Sequence, residues 1–341
     1  MGNAVRPFRP AAALAAGAVV VALAGCAQGV PPAPGGTGAG PSDAAPASLT
    51  LVTHDSFALS DGILEQFTAE TGIAVEVVAL GDAGELVNKL VLTKDSPLGD
   101  VAFGIDNTFS SRVDGIVNDL TAIDSGDVCV NVDHEAYAAA GMEEPRTLAD
   151  LIEPAYKDQL VVEGAGTSSP GLAFLLATID EYGEDGWQDY WRALVANGVQ
   201  VDAGWTDAYY ATFSGPSSEG TRPLVVSYAT SPAAEVVDAS AEPPTGYLED
   251  TCFRQTEYAG VVAGTEHEAE AAQLVEFLLS PAVQADIPGS MYMYPIVEGT
   301  PLPETWAAAQ AAPAAPRELD PAEIDANRER WIEEWAAIAQ P

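Results

Sequence analysis

The chain is poor in positive charge. Thirteen Lys and Arg stand against 51 Asp and Glu in 341 residues, a formal net charge of −38. Nucleic acids and anionic membrane surfaces are polyanions, so this balance excludes both as electrostatic partners. It favours cationic ligands only weakly, because a diffuse acidic surface also serves solubility. Histidine is scarcer still, at His54, His134 and His267. A serine nucleophile at Ser168 or Ser231 needs a base within hydrogen-bond reach, and His134 and His267 fall on polar stretches. The Gly-x-Ser-x-Gly elbow of hydrolases is missing too, since Gly166-Thr-Ser-Ser-Pro-Gly171 has the wrong spacing. These absences argue against an enzyme. After the first 26 residues there is no internal repeat beyond two α/β halves, and no apolar run long enough to span a bilayer.

The start of the chain sets an expected address. Arg6 and Arg9 precede an uncharged apolar stretch from Ala11 to Ala24, which reads as an export signal over residues 1–26. Leu23-Ala-Gly-Cys26 closes it and resembles the bacterial lipobox, so Cys26 is expected to carry lipid; a plain signal with a chance cysteine is the alternative. Residues 27–47, rich in Pro, Gly, Ala and Ser, read as a flexible tether. The expected location is extracytoplasmic, anchored to a bacterial cell membrane. Removing Arg6 and Arg9 leaves 11 basic residues against 51 acidic ones. With Cys26 lipidated, Cys129 and Cys252 remain, and outside the cell they are expected to pair; two buried thiols are the alternative.

Periodicity gives the architecture. Leu49–His54, Ile73–Val78 and Asp100–Gly104 alternate as strands, separated by helical patterns at 62–71 and around Leu86, Val87, Leu90 and Val91. Strands alternating with helices predict a parallel sheet, with ligand residues on loops at the carboxyl ends of its strands. His54-Asp-Ser56, Gly81-Asp82 and Asp106-Asn107 occupy such loops. A second alternating set follows: strands at Gly126–Val132, Leu160–Val162, Val199–Val201 and Leu224–Tyr228, with helices after Gly171 and around Trp187, Trp191 and Leu194. Gln255–Val262 reads as a returning strand, Glu268–Leu279 as a helix, and Pro321–Ala339 as a long terminal helix.

The stretch Gly166-Thr-Ser-Ser-Pro-Gly-Leu172 lies between an apolar strand and a helix. Such a turn offers free N–H groups, hydroxyls and the positive end of a helix dipole, suited to a phosphate, a carboxylate or a polar ligand edge. An ordinary N-cap is the bland alternative.

Five motifs in order then carry a resemblance: Val101–Asn107, Thr167–Leu172, Gly204-Trp-Thr-Asp-Ala-Tyr209, Leu224–Pro232 and Met293-Tyr-Pro295. Together they resemble the substrate-binding proteins of ABC importers, in particular their thiamine-binding branch, over residues 48–341. The resemblance implies an α/β, two-lobe periplasmic-binding-protein-like type II fold with ligand between the lobes. Its lobes would comprise residues 48–125 and 248–300 for the first and 126–247 for the second, with a helical segment, 301–341, packing across both. It implies thiamine or a thiamine phosphate as ligand, a permease as partner, a monomer, and no cofactor or metal. Asp82 would meet the aminopyrimidine, Ser168 the hydroxyethyl or phosphate end, and Trp205 and Tyr228 the rings. Beside them stand His54, Asp106, Ser169, Tyr209, Ser231 and Tyr292. Thiamine is a flat cation, which aromatic faces attract. Trp205, in a loop, is expected to serve the ligand rather than the core, so that its loss would spare stability.

The pattern departs from the family at several points. His54 stands where relatives place a stacking tyrosine, Ala234 where a second aromatic follows, Tyr292 where an indole is usual, and Ser125 in an aromatic's place. The span 106–124 is also short. The runner-up is a ferric-ion-binding protein of the same fold, using Tyr209, Tyr210, His54 and Asp82 as hard ligands.

Overall fold

A computed structural model describes residues 48–237, 242–307 and 311–340. The export signal, Cys26 and the tether lie outside the described residues. In chain order the first elements are β1 (Ser48–Thr53), α1 (Ile63–Thr71), β2 (Ala74–Ala79), α2 (Ala83–Leu92), β3 (Val101–Asp106) and β4 (Val117–Ser125). Next come β5 (Val128–Asp133), α3 (His134–Ala140), β6 (Leu160–Glu163), α4 (Ser169–Tyr182), α5 (Trp187–Ala196) and β7 (Gln200–Asp202). They are followed by α6 (Trp205–Asp207), β8 (Leu224–Tyr228), α7 (Ser231–Ala234) and β9 (Thr245–Phe253). The last are β10 (Thr256–Val262), α8 (Glu268–Leu278), α9 (Pro281–Ser290), β11 (Tyr294–Pro295) and α10 (Pro321–Ala339).

These strands form two sheets, ordered β11-β4-β10-β3-β1-β2 and β7-β6-β8-β5-β9, and each sheet is the spine of one lobe. β3, β5 and β6 are buried along their whole length, as near-continuous apolar strands covered on both faces must be. β2 is the edge of the first sheet and is mostly exposed. Only part of the expected parallel pairing occurs. β1 pairs parallel with β2 and β3, and β6 with β7 and β8, but β10 runs antiparallel to β3 and β4, and β5 to β8 and β9. The reason is the crossing: β4 carries the chain out of the first lobe and β10 carries it back, so as neighbours they must run in opposite directions.

The crossings are short. Gly126 and Asp127 join β4 to β5, and Arg254 and Gln255 join β9 to β10. Gly126 N–H donates to Gln255 O at 3.2 Å, and Arg254 pairs with Asp127 at 2.7 Å. β9 stays in the second sheet to Phe253, so the return falls at residues 254–255 rather than at 248. The span 245–253 alternates only weakly in sequence, and its long pairing with β5 is a tertiary choice that the pattern does not reveal. The terminal helix α10 packs on α5 through Trp335 against Trp191, while Arg328 donates to Thr108 O and to Ser111 Oγ in the first lobe, each at 3.0 Å.

Cys129 and Cys252 are joined in a disulfide between β5 and β9, beside the crossings. The bridge closes a loop with a sequence separation of 123 residues. A loop of that size restrains the unfolded chain by about 4–5 kcal/mol in the chain-entropy picture. The double variant Cys129→Ser/Cys252→Ser is therefore expected to lower unfolding free energy in urea by about 2–5 kcal/mol. A change below about 0.5 kcal/mol, within the range of an ordinary surface substitution, would contradict this.

Candidate functional site

A cavity of about 260 Å³ lies where the two lobes face each other. The first lobe contributes His54, Asp55 and Ser56 at the end of β1, Glu257 on β10, and Tyr292 and Met293 after α9. The second contributes Trp205, Thr206 and Tyr210 from the turn at α6, and Tyr228 and Ser231 from the end of β8 and start of α7. Gly104 lies under His54: a Cβ there would meet its Cδ2 at 2.0 Å, so only glycine leaves the ring its place. Tyr292 takes a left-handed backbone with φ of 59°, a conformation costly for an aromatic residue and sustained by its surroundings.

The aromatic wall is built around Trp205. Its ring stacks on Tyr209 at 5.0 Å and 20°, meets Tyr210 edge-on at 5.4 Å, and tilts toward Tyr228 at 6.3 Å. The indole N–H donates to Ser227 Oγ at 2.8 Å, and that hydroxyl is 2.8 Å from Ser231 Oγ. With only 9% of its surface exposed, Trp205 belongs to a small core with Val161, Tyr209, Phe213 and Val225 while turning an edge to the cavity. It thus borders the cavity and belongs to the core at once, so its loss is not expected to spare stability. Removing a large aromatic from such a cluster costs about 3–5 kcal/mol. Tyr209 sits behind the wall, its hydroxyl donated to Glu235 Oε1 at 2.9 Å.

Opposite stands a charged wall. His54 Nε2 is 3.5 Å from Glu257 Oε2, and its Nδ1 is 3.1 Å from Ser56 Oγ. Gln255 donates to Glu257 Oε1 and to the Tyr228 hydroxyl, both at 3.2 Å. Burial opposes charge on His54, but Glu257, Asp82 and Asp55 together outweigh it and raise the imidazole above its usual range. Asp124 is cross-strand from Glu257 and fully buried. Burial, then the adjacent Glu257, push its carboxyl well above the usual range. Sequence reasoning missed Glu257. The only trace was an acidic residue inside the strand Gln255–Val262, a feature common on solvated faces.

Four residues singled out in the sequence lie instead where the lobes touch. Asp82 caps α2 by accepting from Ala83 N at 2.6 Å, and its other oxygen accepts Trp205 N–H from the opposite lobe at 2.9 Å. Burial raises its pKa, while the N–H groups of Trp205 and Ala83 and the Ser168 hydroxyl favour the anion. Ser169 Oγ donates to Asp106, across the same boundary. Glu85 N donates to Thr167 O at 3.2 Å, and a Cβ on Gly84 would stand 2.6 Å from the Thr167 carbonyl carbon. Ser168 is the N-cap of α4 and fully buried. Asp82, Asp106 and Ser169 therefore hold lobe to lobe, with the buried Ser168 hydroxyl beside them and without a hydrogen-bond partner, while His54, Trp205, Tyr228, Ser231 and Tyr292 line the cavity. Of the iron-binding set, Tyr209 is committed to Glu235, and Asp82 to two backbone N–H groups. Among the described residues no group of three or more His, Cys, Asp or Glu is placed to hold a metal ion.

The sequence profile of the bacterial extracellular solute-binding proteins matches residues 105–334. The thiamine-binding periplasmic protein of Salmonella typhimurium is 30% identical over 308 residues, covering 84% of this chain and 92% of that one. A solved periplasmic thiamin-binding protein superposes with a TM-score of 0.74 at 28% identity, over 86% of this chain and 96% of the other. A ferric-binding protein from Campylobacter jejuni superposes at a TM-score of 0.66 with 15% identity, over 85% and 99%, which is likeness of fold.

The buried acids and His54 give a common pH signature. His54 is raised in the folded state, so its stabilisation is complete below about pH 6.5 and is lost as pH rises through its folded value. Asp82, Asp106, Asp124 and Glu163 are raised as well, first of all by burial. For each, the native state holds protons that the unfolded chain releases near pH 4, so stability falls as pH rises above that point. The ligand-free protein is expected to melt at higher temperature at pH 5.5 than at pH 8. Glu163→Gln should flatten the profile, since Glu163 is fully buried at the end of β6. Melting temperatures that rise from pH 5.5 to 8 in calorimetric scans would refute this.

Proposed function

The chain belongs to the bacterial extracellular solute-binding proteins, and from that premise we propose that it captures thiamine outside the cytoplasmic membrane and delivers it to the permease of an ABC importer. The observation that carries the reading is the pairing of walls in one cavity. Trp205, Tyr210, Tyr228 and Tyr292 offer flat π surfaces, and Asp55 and Glu257 offer negative charge. Thiamine matches both, being a permanent cation on a flat thiazolium ring joined to a second flat ring. Each ring face is worth about 0.5–2 kcal/mol toward such a cation, with the larger values where water is excluded.

The binding set we assign is Trp205, Tyr210, Tyr228, Tyr292, Glu257 and Asp55, with His54 and Ser231 at its margins. His54 takes a stacking tyrosine's place, exchanging a neutral ring for one paired to Glu257. Asp82, Asp106 and Ser169 act one step back, holding the lobes and the Trp205 turn in the bound geometry. The lobes are assigned as residues 48–125 with 256–295, and 126–253, with α10 bridging them. The chain is assigned a lipid anchor at Cys26, supported by the apolar run and the Leu23-Ala-Gly-Cys26 motif. The protein acts by binding and release, without catalysis, as a single copy.

Calorimetric titration of the delipidated protein tests the reading: thiamine should bind with micromolar or tighter affinity, and Fe³⁺ should give no visible charge-transfer band. Tyr210 is the discriminating side chain, because it is 38% exposed and supports little core. Tyr210→Ala is expected to weaken thiamine about 2- to 30-fold, the value of one cation–π face, with the melting temperature shifted by no more than about 2 °C. Thiamine should also quench Trp fluorescence, since Trp205 borders the cavity. Absent heat and quenching from a folded sample would defeat the proposal.

A further inference from the structure

Behind the cavity wall lies a carboxyl that the binding set does not use. Asp124 stands near the end of β4, cross-strand from Glu257 on β10 and from Pro295 on β11. Its side chain is fully buried, and neither of its oxygens has a hydrogen-bond partner among the described residues. We propose that Asp124 is a neutral acid whose O–H donates to Glu257, and that it thereby positions the carboxylate of the thiamine site. The positioning role rests on the thiamine reading, whereas the protonation stands without it.

The pair leaves Asp124 little choice. Glu257 lies within its hydrogen-bond reach, and among the described residues it is the one charged group acting on Asp124. Two carboxylates are both acceptors, so their contact becomes a hydrogen bond only when one carries a proton. Ionised, Asp124 would be a buried charge with no donor beside a second acidic group, and such a group neutralises instead. Burial, then Glu257, push its carboxyl in that same direction, well above the usual range.

The surroundings assign the proton to Asp124 rather than to its neighbour. Glu257 Oε1 accepts the Gln255 amide at 3.2 Å, and Oε2 faces His54 Nε2 at 3.5 Å. An amide donor and an imidazole favour an anion there, and Asp124 has neither. Further out, Asp106 on β3 and Tyr228 on β8 act on Glu257, while Asp82 and Asp55 act on His54. With Asp124 as a further donor, the Glu257 carboxylate is held on three sides in the wall of the cavity. A cation entering there meets one fixed carboxylate instead of a repelling pair.

Two variants of the delipidated protein test this. Asp124→Leu removes the donor, and Asp124→Asn restores one of the same shape that cannot ionise. In infrared spectra at neutral pH, the band of protonated buried carboxyls should lose a component in Asp124→Asn. An unchanged band would overturn the neutral acid. The melting temperature of Asp124→Asn should also fall less from pH 5.5 to 8 than that of the parent, because the parent loses stability as pH rises toward the raised value of Asp124. Equal slopes would count against the proton as well. In calorimetric titrations, Asp124→Leu should bind thiamine about tenfold or more weakly, and Asp124→Asn should return to within about threefold of the parent. A tenfold loss in Asp124→Asn would mean that its charge serves the cation, and an unweakened Asp124→Leu would remove the positioning role; either result sinks the proposal. A parent that binds no thiamine would defeat the thiamine reading and the positioning role together, with the infrared and melting results still deciding the proton. If Asp124→Leu fails to fold, those two measurements on Asp124→Asn decide.

Discussion

The arrangement of the cleft depends on one carboxylate. Asp82 caps α2 with one oxygen and accepts Trp205 N–H from the opposite lobe with the other. The turn at Gly204 is pressed against it, for a Cβ there would lie 2.9 Å from Asp82 Oδ2. A buried carboxyl oxygen accepting backbone N–H groups in a poorly hydrated place makes a strong hydrogen bond. It fixes the entry of the Trp205 turn, and through the indole it fixes the ring stack behind. The Asp106–Ser169 bond and the Gly84–Thr167 contact repeat the arrangement along the same seam. Lobe contact and the aromatic wall of the cavity are therefore tied to one another through Asp82 and the Trp205 turn.

Charge is handled differently on the two sides of the cavity. The aromatic side consumes its polar atoms internally: indole N–H to Ser227, Tyr209 hydroxyl to Glu235. The opposite side keeps several acidic groups within a small volume and offers them little positive charge beyond His54. Behind this wall, burial and the adjacent Glu257 push the Asp124 carboxyl well above its usual range.

Much of the fold was legible because it is local. The alternation in Leu49–His54 and Ile73–Val78 and the helical spacing of Leu86, Val87 and Leu90 need no distant partner to be read. The direction of β10 and the length of β9 were not legible, because pairing with β4 and β5 decides them. For the site, the cavity-lining aromatics Trp205 and Tyr228 stood out as loop-borne rings beside strand ends. Asp82 and Ser168 stood out for the same reason, and both lie at the seam between the lobes, Asp82 as the cap of α2; a capping residue and a ligand residue share one sequence signature. Glu257 left no signal, since an acid in a returning strand reads as solvated until the neighbouring strand buries it.

The edge strand β2 has a further consequence. Its run Ala74-Val-Glu-Val-Val-Ala79 is short, apolar and β-branched, and it ends the first sheet with its outer backbone groups unpaired by another strand. Such an edge is a template for intermolecular strand addition and fibril growth. Glu76 interrupts the run, and two copies brought edge to edge would stack like charges on molecules that already repel each other strongly. The acidity that shapes the ligand cavity therefore also acts as a gatekeeper against self-templated aggregation, and acid or concentrated salt, which remove that repulsion, would leave the β2 edge open to its own kind.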